Sequence, residues 1–132
     1  MIKPIMKSEF FLRLPSEDAG PDDAATGQDL LDTLHEHEHE CVGLAANMIG
    51  VRKRIICVKD GNRTLLMYNP QILEQVNAYQ TSEGCLSLTG ERPCTRYRRI
   101  KVEYLDENFV HRIKNFSGYT AEIIQHEIDH CN

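Results

Sequence analysis

The residues most able to do chemistry stand near the end of the chain, in Gln125-His126-Glu127-Ile128-Asp129-His130. They form the pattern H-E-x-x-H. On a helix, positions i and i+4 share one face, one turn apart. His126 and His130 can therefore present two imidazoles to one ion. Glu127 follows the first His by about 100° of helical rotation. Its carboxylate can stand beside a metal without binding it and take a proton from a water there. Two ligands with a base between them are the parts of metal-assisted hydrolysis.

His35 and His39 have the same spacing and serve as an internal control. Only the later pair has Glu directly after its first His. Only the later pair sits among apolar residues at helical spacing, Ile124 and Ile128, with Ile123 beside them. The run His35-Glu-His-Glu-His-Glu40 reads instead as a solvated helix end, where cationic imidazoles suit the helix dipole.

A hydrolytic ion of this type takes three protein ligands and keeps one position open. Cys85 stands out as the third, because it lies in Glu83-Gly84-Cys85-Leu86-Ser87, between a Gly and a turn segment. A thiolate exposed at a strand end there can reach across to the helix. A buried, inert Cys is the competing reading, and it fits Cys57 better, mid-strand among Ile and Val. From the residues alone both readings of Cys85 stay open. A structural site with four protein ligands is disfavoured, because the one nearby extra thiol, Cys131, points away from the His face.

These residues need elements to hold them. Residues 1–14 read as an extended arm. Pro15, Gly20 and Pro21 mark a loop, and a helix begins near Pro21-Asp22-Asp23 with an apolar stripe of Leu30, Leu31 and Leu34. Strands follow over 54–59 and 65–68, joined by the turn Asp60-Gly61-Asn62. Asn69-Pro70 breaks the second strand, and 72–78 is another. After Cys85 comes a loop with Gly90 and Pro93. Residues 100–105 and 109–116 form two more strands around Asp106-Glu-Asn108. Ser117 can cap the last helix. Helix, strands, helix gives an α+β class. Mostly antiparallel sheet packs around a C-terminal helix carrying HExxH, with an N-terminal helix.

The 132 residues fit one domain, 1–132. A net charge of −5 argues against nucleic-acid or anionic-membrane partners, which need a basic stripe. Arg96, Arg98 and Arg99 read as strand-edge charges. The five Cys show no disulfide framework, and no run reaches the ~18 apolar residues of a membrane span. A soluble, reduced, cytoplasmic protein is expected.

Three blocks, in order, resemble the peptide deformylase family: Val42-Gly43-Leu44-Ala45-Ala46, Glu83-Gly84-Cys85-Leu86-Ser87, and Gln125 to His130. Each block alone is weak; together they are specific. The resemblance implies one divalent ion held by Cys85, His126 and His130. Ferrous iron is the usual native metal, and zinc, nickel or cobalt can substitute. It implies removal of the formyl group from N-formylmethionyl nascent peptides. Glu127 would move the proton, and the Leu86 amide would donate to the oxyanion. Gly43 and Leu44 would pair with the bound peptide. Arg92 falls where the family often has an Arg near the substrate chain, although alone it reads as a loop charge.

The chain also departs from the family. The first block begins with Cys41 in place of Gly and ends with Met48 in place of the Gln that donates to the oxyanion. A thioether cannot donate. Asn47 carries an amide but is one residue out of phase, and in an extended segment it would face the other way. Only Cys131 and Asn132 follow His130, short of the family's usual C-terminal extension. Reduced or altered turnover is therefore expected. The alternative is a non-catalytic metal- or peptide-binding protein on the same fold.

Overall fold

Two helices face each other across one antiparallel sheet in the computed structural model of the chain, which describes residues 1–132 and the side chains of all but Leu88 and Thr89. The sheet has five strands in sequence order: β1 (Gly43–Ala45), β2 (Ile55–Asp60), β3 (Arg63–Cys85), β4 (Leu88–Leu105) and β5 (His111–Ser117). Every ladder is antiparallel. The helices are α1 (Glu9–Leu12), α2 (Ala24–Glu36) and α3 (Gly118–Cys131).

Strand alternation decides which helix meets which face. Leu44 pairs with Cys57, and the Cys57 thiol reaches the Leu30 carbonyl of α2. On that face Tyr68 stands under Gly27, where an added Cβ would lie 2.1 Å from the Tyr68 hydroxyl oxygen. Gly27 is therefore what lets α2 approach. The neighbouring residue, Gly43, turns to the opposite face and meets Ile123 and Glu127 of α3. Covered on both sides, β2 opens with the buried run Ile55-Ile56-Cys57-Val58.

β3 and β4 form a long hairpin that reaches past the sheet and along α3. β5 stops pairing with β4 at Arg99. Beyond it Gln125 of α3 takes over the free edge. Its side chain accepts from the Tyr97 N–H at 2.9 Å and donates to the Tyr97 carbonyl at 2.8 Å. The hairpin closes at Cys85 opposite Leu88, leaving Leu86 and Ser87 as its loop.

The α+β class stands, but several local expectations are corrected. Phe10-Phe11-Leu12 is not extended; α1 forms there, and Ser8 Oγ accepts from the Phe11 N–H at 3.2 Å. α2 follows a 3-10 turn at Pro21–Asp23 and ends at Glu36, so the remaining His and Glu residues to Glu40 lie in turns. Asn69-Pro70 does not end a strand. Asn69 takes a left-handed φ of 54° and absorbs a bulge, and its side-chain amide clamps both polar groups of the Ala19 backbone. Gly90 and Pro93 lie inside β4 rather than in a loop. Ser117 holds the N-cap position of α3 without a side-chain bond.

Candidate active site

α3 buries Ile123, Ile124 and Ile128 against the sheet, and that anchoring turns His126 and His130 toward the end of β3. Their rings lie 5.1 Å apart, centroid to centroid. Cys85 is the last residue of β3, just before the hairpin loop. One donor atom from each of Cys85, His126 and His130 lies within 4.8 Å of the others. Cys85 Sγ is 3.5 Å from His130 Nε2. A soft thiolate with two imidazoles suits a divalent first-row ion, so the donor set fits the expected cofactor.

A network of hydrogen bonds orients these side chains. His126 donates from Nδ1 to Glu83 Oε1 at 2.7 Å, which leaves Nε2 free for an ion. Arg96 donates from Nη2 to Glu83 at 2.7 Å and from Nη1 to Asp129 at 2.6 Å. Glu83 sits on β3, Arg96 on β4 and Asp129 on α3, so one guanidinium ties three elements together. The reading of Arg96 as an edge charge is thus overturned: it is 7% exposed. Glu83 was visible in sequence as the neighbour of Cys85, but nothing marked it as a histidine's partner.

The charges follow from this packing. Burial opposes a Cys85 thiolate, but hydrogen bonds from His126 and His130 outweigh it and bring the thiol down to about 5. Burial likewise opposes charge on His126, yet Cys85, Glu127 and Glu83 hold it up at about 9. Burial also works against the Glu83 charge, and Arg96, Glu122 and His126 keep its carboxyl well below the usual range.

Glu127 is 4% exposed, and its Oε1 has no hydrogen-bond partner. Burial pushes its carboxyl up, against the pull of the two imidazoles. A Cβ on Gly43 would lie 2.9 Å from Glu127 Oε2 and 2.7 Å from Ile123 Cγ2, so β1 approaches α3 this closely only with glycine. β1 is an edge strand with β2 on one side. Val42 spends its carbonyl on the Lys59 N–H at 2.8 Å. Peptide groups alternate along a strand, so Gly43 turns its own N–H and C=O to the open side. The Cys41 thiol, which burial pushes up to about 12, donates to that carbonyl at 2.9 Å.

A cavity of about 620 Å³ opens beside this edge, between Gly43, Met48, Leu86, His126 and Glu127. Met48 is fully buried at its inner end, with Sδ accepting from the Ala45 N–H at 3.4 Å. Asn47 does not lie in an extended segment, because a 3-10 turn spans Ala46–Ile49. Its amide still misses the cavity and donates to the carbonyls of His130 at 2.6 Å and Leu12 at 3.3 Å. Leu86 lies in the hairpin loop at the cavity wall, and its carbonyl accepts from Lys7 Nζ. Leu44 is fully buried on the α2 face, and strand alternation turns its peptide groups to β2, away from the cavity. Arg92 is exposed, faces Glu9 at 3.4 Å, and lines a separate cavity of about 260 Å³ on the other side of Cys85 and His126.

Residues 6–132 match the family model described as polypeptide deformylase. The chain is 52% identical over 130 residues to a peptide deformylase of Clostridium beijerinckii, covering 98% of this chain and 96% of that protein. Among solved structures, a peptide deformylase from Thermus thermophilus superposes with a TM-score of 0.89 at 33% identity, covering 99% of this chain and 81% of that one. A class I type b peptide deformylase from Acinetobacter baumannii with Met-Ala-Ser bound superposes at 0.87 with 29% identity, covering 100% and 95%.

Proposed function

This chain belongs to the peptide deformylase family, and we propose that it removes the N-formyl group from N-formylmethionyl peptides. Cys85, His126 and His130 would hold one divalent ion, Fe2+ natively, with Zn2+, Ni2+ or Co2+ as substitutes. Such an ion supplies Lewis acidity and makes a water nucleophilic at neutral pH.

The chain's own residues carry the remaining work. Gly43 offers its outward N–H and C=O to an extended peptide, as an added strand would. The formyl end then lies at the buried end of the cavity, between Leu86 and Glu127. Glu127 takes a proton from the attacking water and passes it to the leaving amine. The Leu86 N–H donates to the developing oxyanion. Glu83 holds His126 in the tautomer that frees Nε2. A cytoplasmic location, where nascent chains emerge, agrees with five cysteines free of disulfides.

The observation that carries this reading is Glu127. A carboxylate only 4% exposed with one oxygen unpartnered is costly. A purely structural site gains nothing from it, whereas a proton shuttle needs it. Met48 favours the second reading, a binding protein without turnover, because its thioether accepts where the reaction wants a donor. Formate release from a formyl-methionyl peptide by anaerobically prepared protein of known metal content decides between the two. Turnover abolished by Glu127→Gln supports the first. No formate from fully metal-loaded wild type supports the second.

A further inference from the structure

The cavity has a direction. Met48 and Glu127 are buried at its inner end, while Glu40 and Tyr119 are exposed at its mouth. The chain enters β1 from that mouth, through Glu38-His39-Glu40-Cys41. A peptide lying along the Gly43 edge with its formyl end at Glu127 must run outward past these residues. Its later side chains therefore meet the turn between α2 and β1.

The charged residues described as lining that mouth are acidic. Glu38, Glu40 and Glu122 line it, with Glu83 and Glu127 deeper, and no Lys or Arg is among the described lining residues. Each of the mouth carboxylates has an internal partner, two of them at the protein surface. Glu38 meets Lys59 at 3.6 Å and His35 at 3.3 Å, and Glu40 meets His37 at 2.8 Å. Glu122 accepts from the Tyr79 hydroxyl at 3.2 Å. Glu83 is already matched by Arg96. Lys7, which is not among the described lining residues, is held at the Leu86 carbonyl. Two further features of the same cavity point to a ligand: the unpartnered Glu127 oxygen and the outward Gly43 backbone.

We infer that this acidic mouth makes the site selective for formyl-methionyl peptides with cationic residues downstream of methionine, through Glu38 and Glu40; this rests on the deformylase reading. Partly exposed charges act weakly and are screened by salt, so the preference is modest.

Two peptides test it, formyl-Met-Ala-Lys-Lys and formyl-Met-Ala-Glu-Glu, both amidated, with metal-loaded protein at low salt. The lysine peptide should have a kcat/KM about three- to thirtyfold higher. The ratio should shrink in 0.5 M salt and fall toward one in the Glu38→Gln, Glu40→Gln double variant. Equal rates, a preference for the glutamate peptide, or a ratio unchanged in the double variant would overturn the inference. Methionyl hydroxamates with the same two tails, compared by dissociation constant, separate this outcome from failure of the reaction itself. No formate from either peptide with a lysine-tail preference in binding would remove the deformylase reading and keep the charge selection. No preference in binding either would remove both.

Discussion

At Met48, one side chain sets the expected rate. Its sulfur accepts the Ala45 N–H from inside the 3-10 turn, fully buried. Glutamine is close in length, and its carbonyl can take over that N–H while its amide turns to the cavity. Met48→Gln should then raise kcat with little change in KM, because the new donor acts in the transition state. A gain of up to about 10²–10³ is the ceiling for one oxyanion donor; steady-state kinetics reads it, and a lower kcat would show that methionine is the better fit. The ligands support a second expectation. In the metal-free protein the Cys85 thiol sits at about 5 and His126 at about 9. At pH 7 the thiol is already ionised and His126 is protonated, so loading the ion must displace the His126 proton, together with any proton held by His130, where burial is likewise outweighed by Cys85 and Glu127, and none from Cys85. The His126 part of that release should persist below pH 9 and be lost above it, where His126 is already neutral. Calorimetric titration in buffers of different ionisation enthalpy measures it; enthalpies independent of buffer at pH 7 would contradict the charge assignment. The shared face of His126 and His130 was legible residue by residue because a helix repeat needs no long-range knowledge. Glu83 was not, since its role depends on α3 passing β3.

Elements carry the next layer, and Arg96 shows how. It joins β3, β4 and α3 through Glu83 and Asp129 while itself buried. In sequence it stands beside Arg98 and Arg99, and alternation cannot say which of three near neighbours turns inward. Arg98 stays outside, its guanidinium 4.7 Å over the Tyr79 ring. Arg96→Met keeps the bulk and removes the charge. Glu83 would then be buried with only His126 and Glu122 as partners, so about 3 kcal/mol of stability should be lost, the cost of breaking a buried pair. Metal affinity should fall about 10–100-fold as His126 loses its fixed orientation. A urea midpoint and a metal competition titration read the two effects, and an unaltered affinity would mean that Glu83 holds His126 without help. The long hairpin was misread for a related reason. Asn69-Pro70 looks like a break, but the chain passes it with a bulge and one left-handed residue, and the partner strand that makes this possible lies some thirty residues on in sequence, at Leu105 and Glu103.

Across the whole molecule, the class was legible from element order, helix then strands then helix. The strand over 54–59 was legible too, although its coverage on both faces shows only in the structure, in the buried run that opens β2. Which helix covers which face was not legible, because it turns on Gly27 and Gly43, whose missing side chains matter only against distant partners, Tyr68 and Glu127. The same layering gives metal loading a hold on stability. The three candidate ligands come from two elements, the hairpin end and α3, and no disulfide joins them. An ion bound by the folded chain and not by the unfolded one adds about 4 kcal/mol at a thousandfold excess over its Kd. In a domain of this size each kcal/mol moves Tm by about 3–5 °C, so loading should raise Tm by about 10–20 °C. Cys85→Ser should abolish most of that shift, since a serine hydroxyl is not ionised at neutral pH and does not replace a thiolate. Cys57→Ser, behind the sheet, should lower Tm through its burial yet keep the full shift on loading. Glu127→Gln should also keep it, because the carboxylate borders the ion without ligating it. Scanning calorimetry of the four proteins, metal-free and loaded, separates these outcomes; a shift that survives in Cys85→Ser would mean that the ion is held elsewhere, and one lost in Glu127→Gln would make that carboxylate a ligand rather than a base.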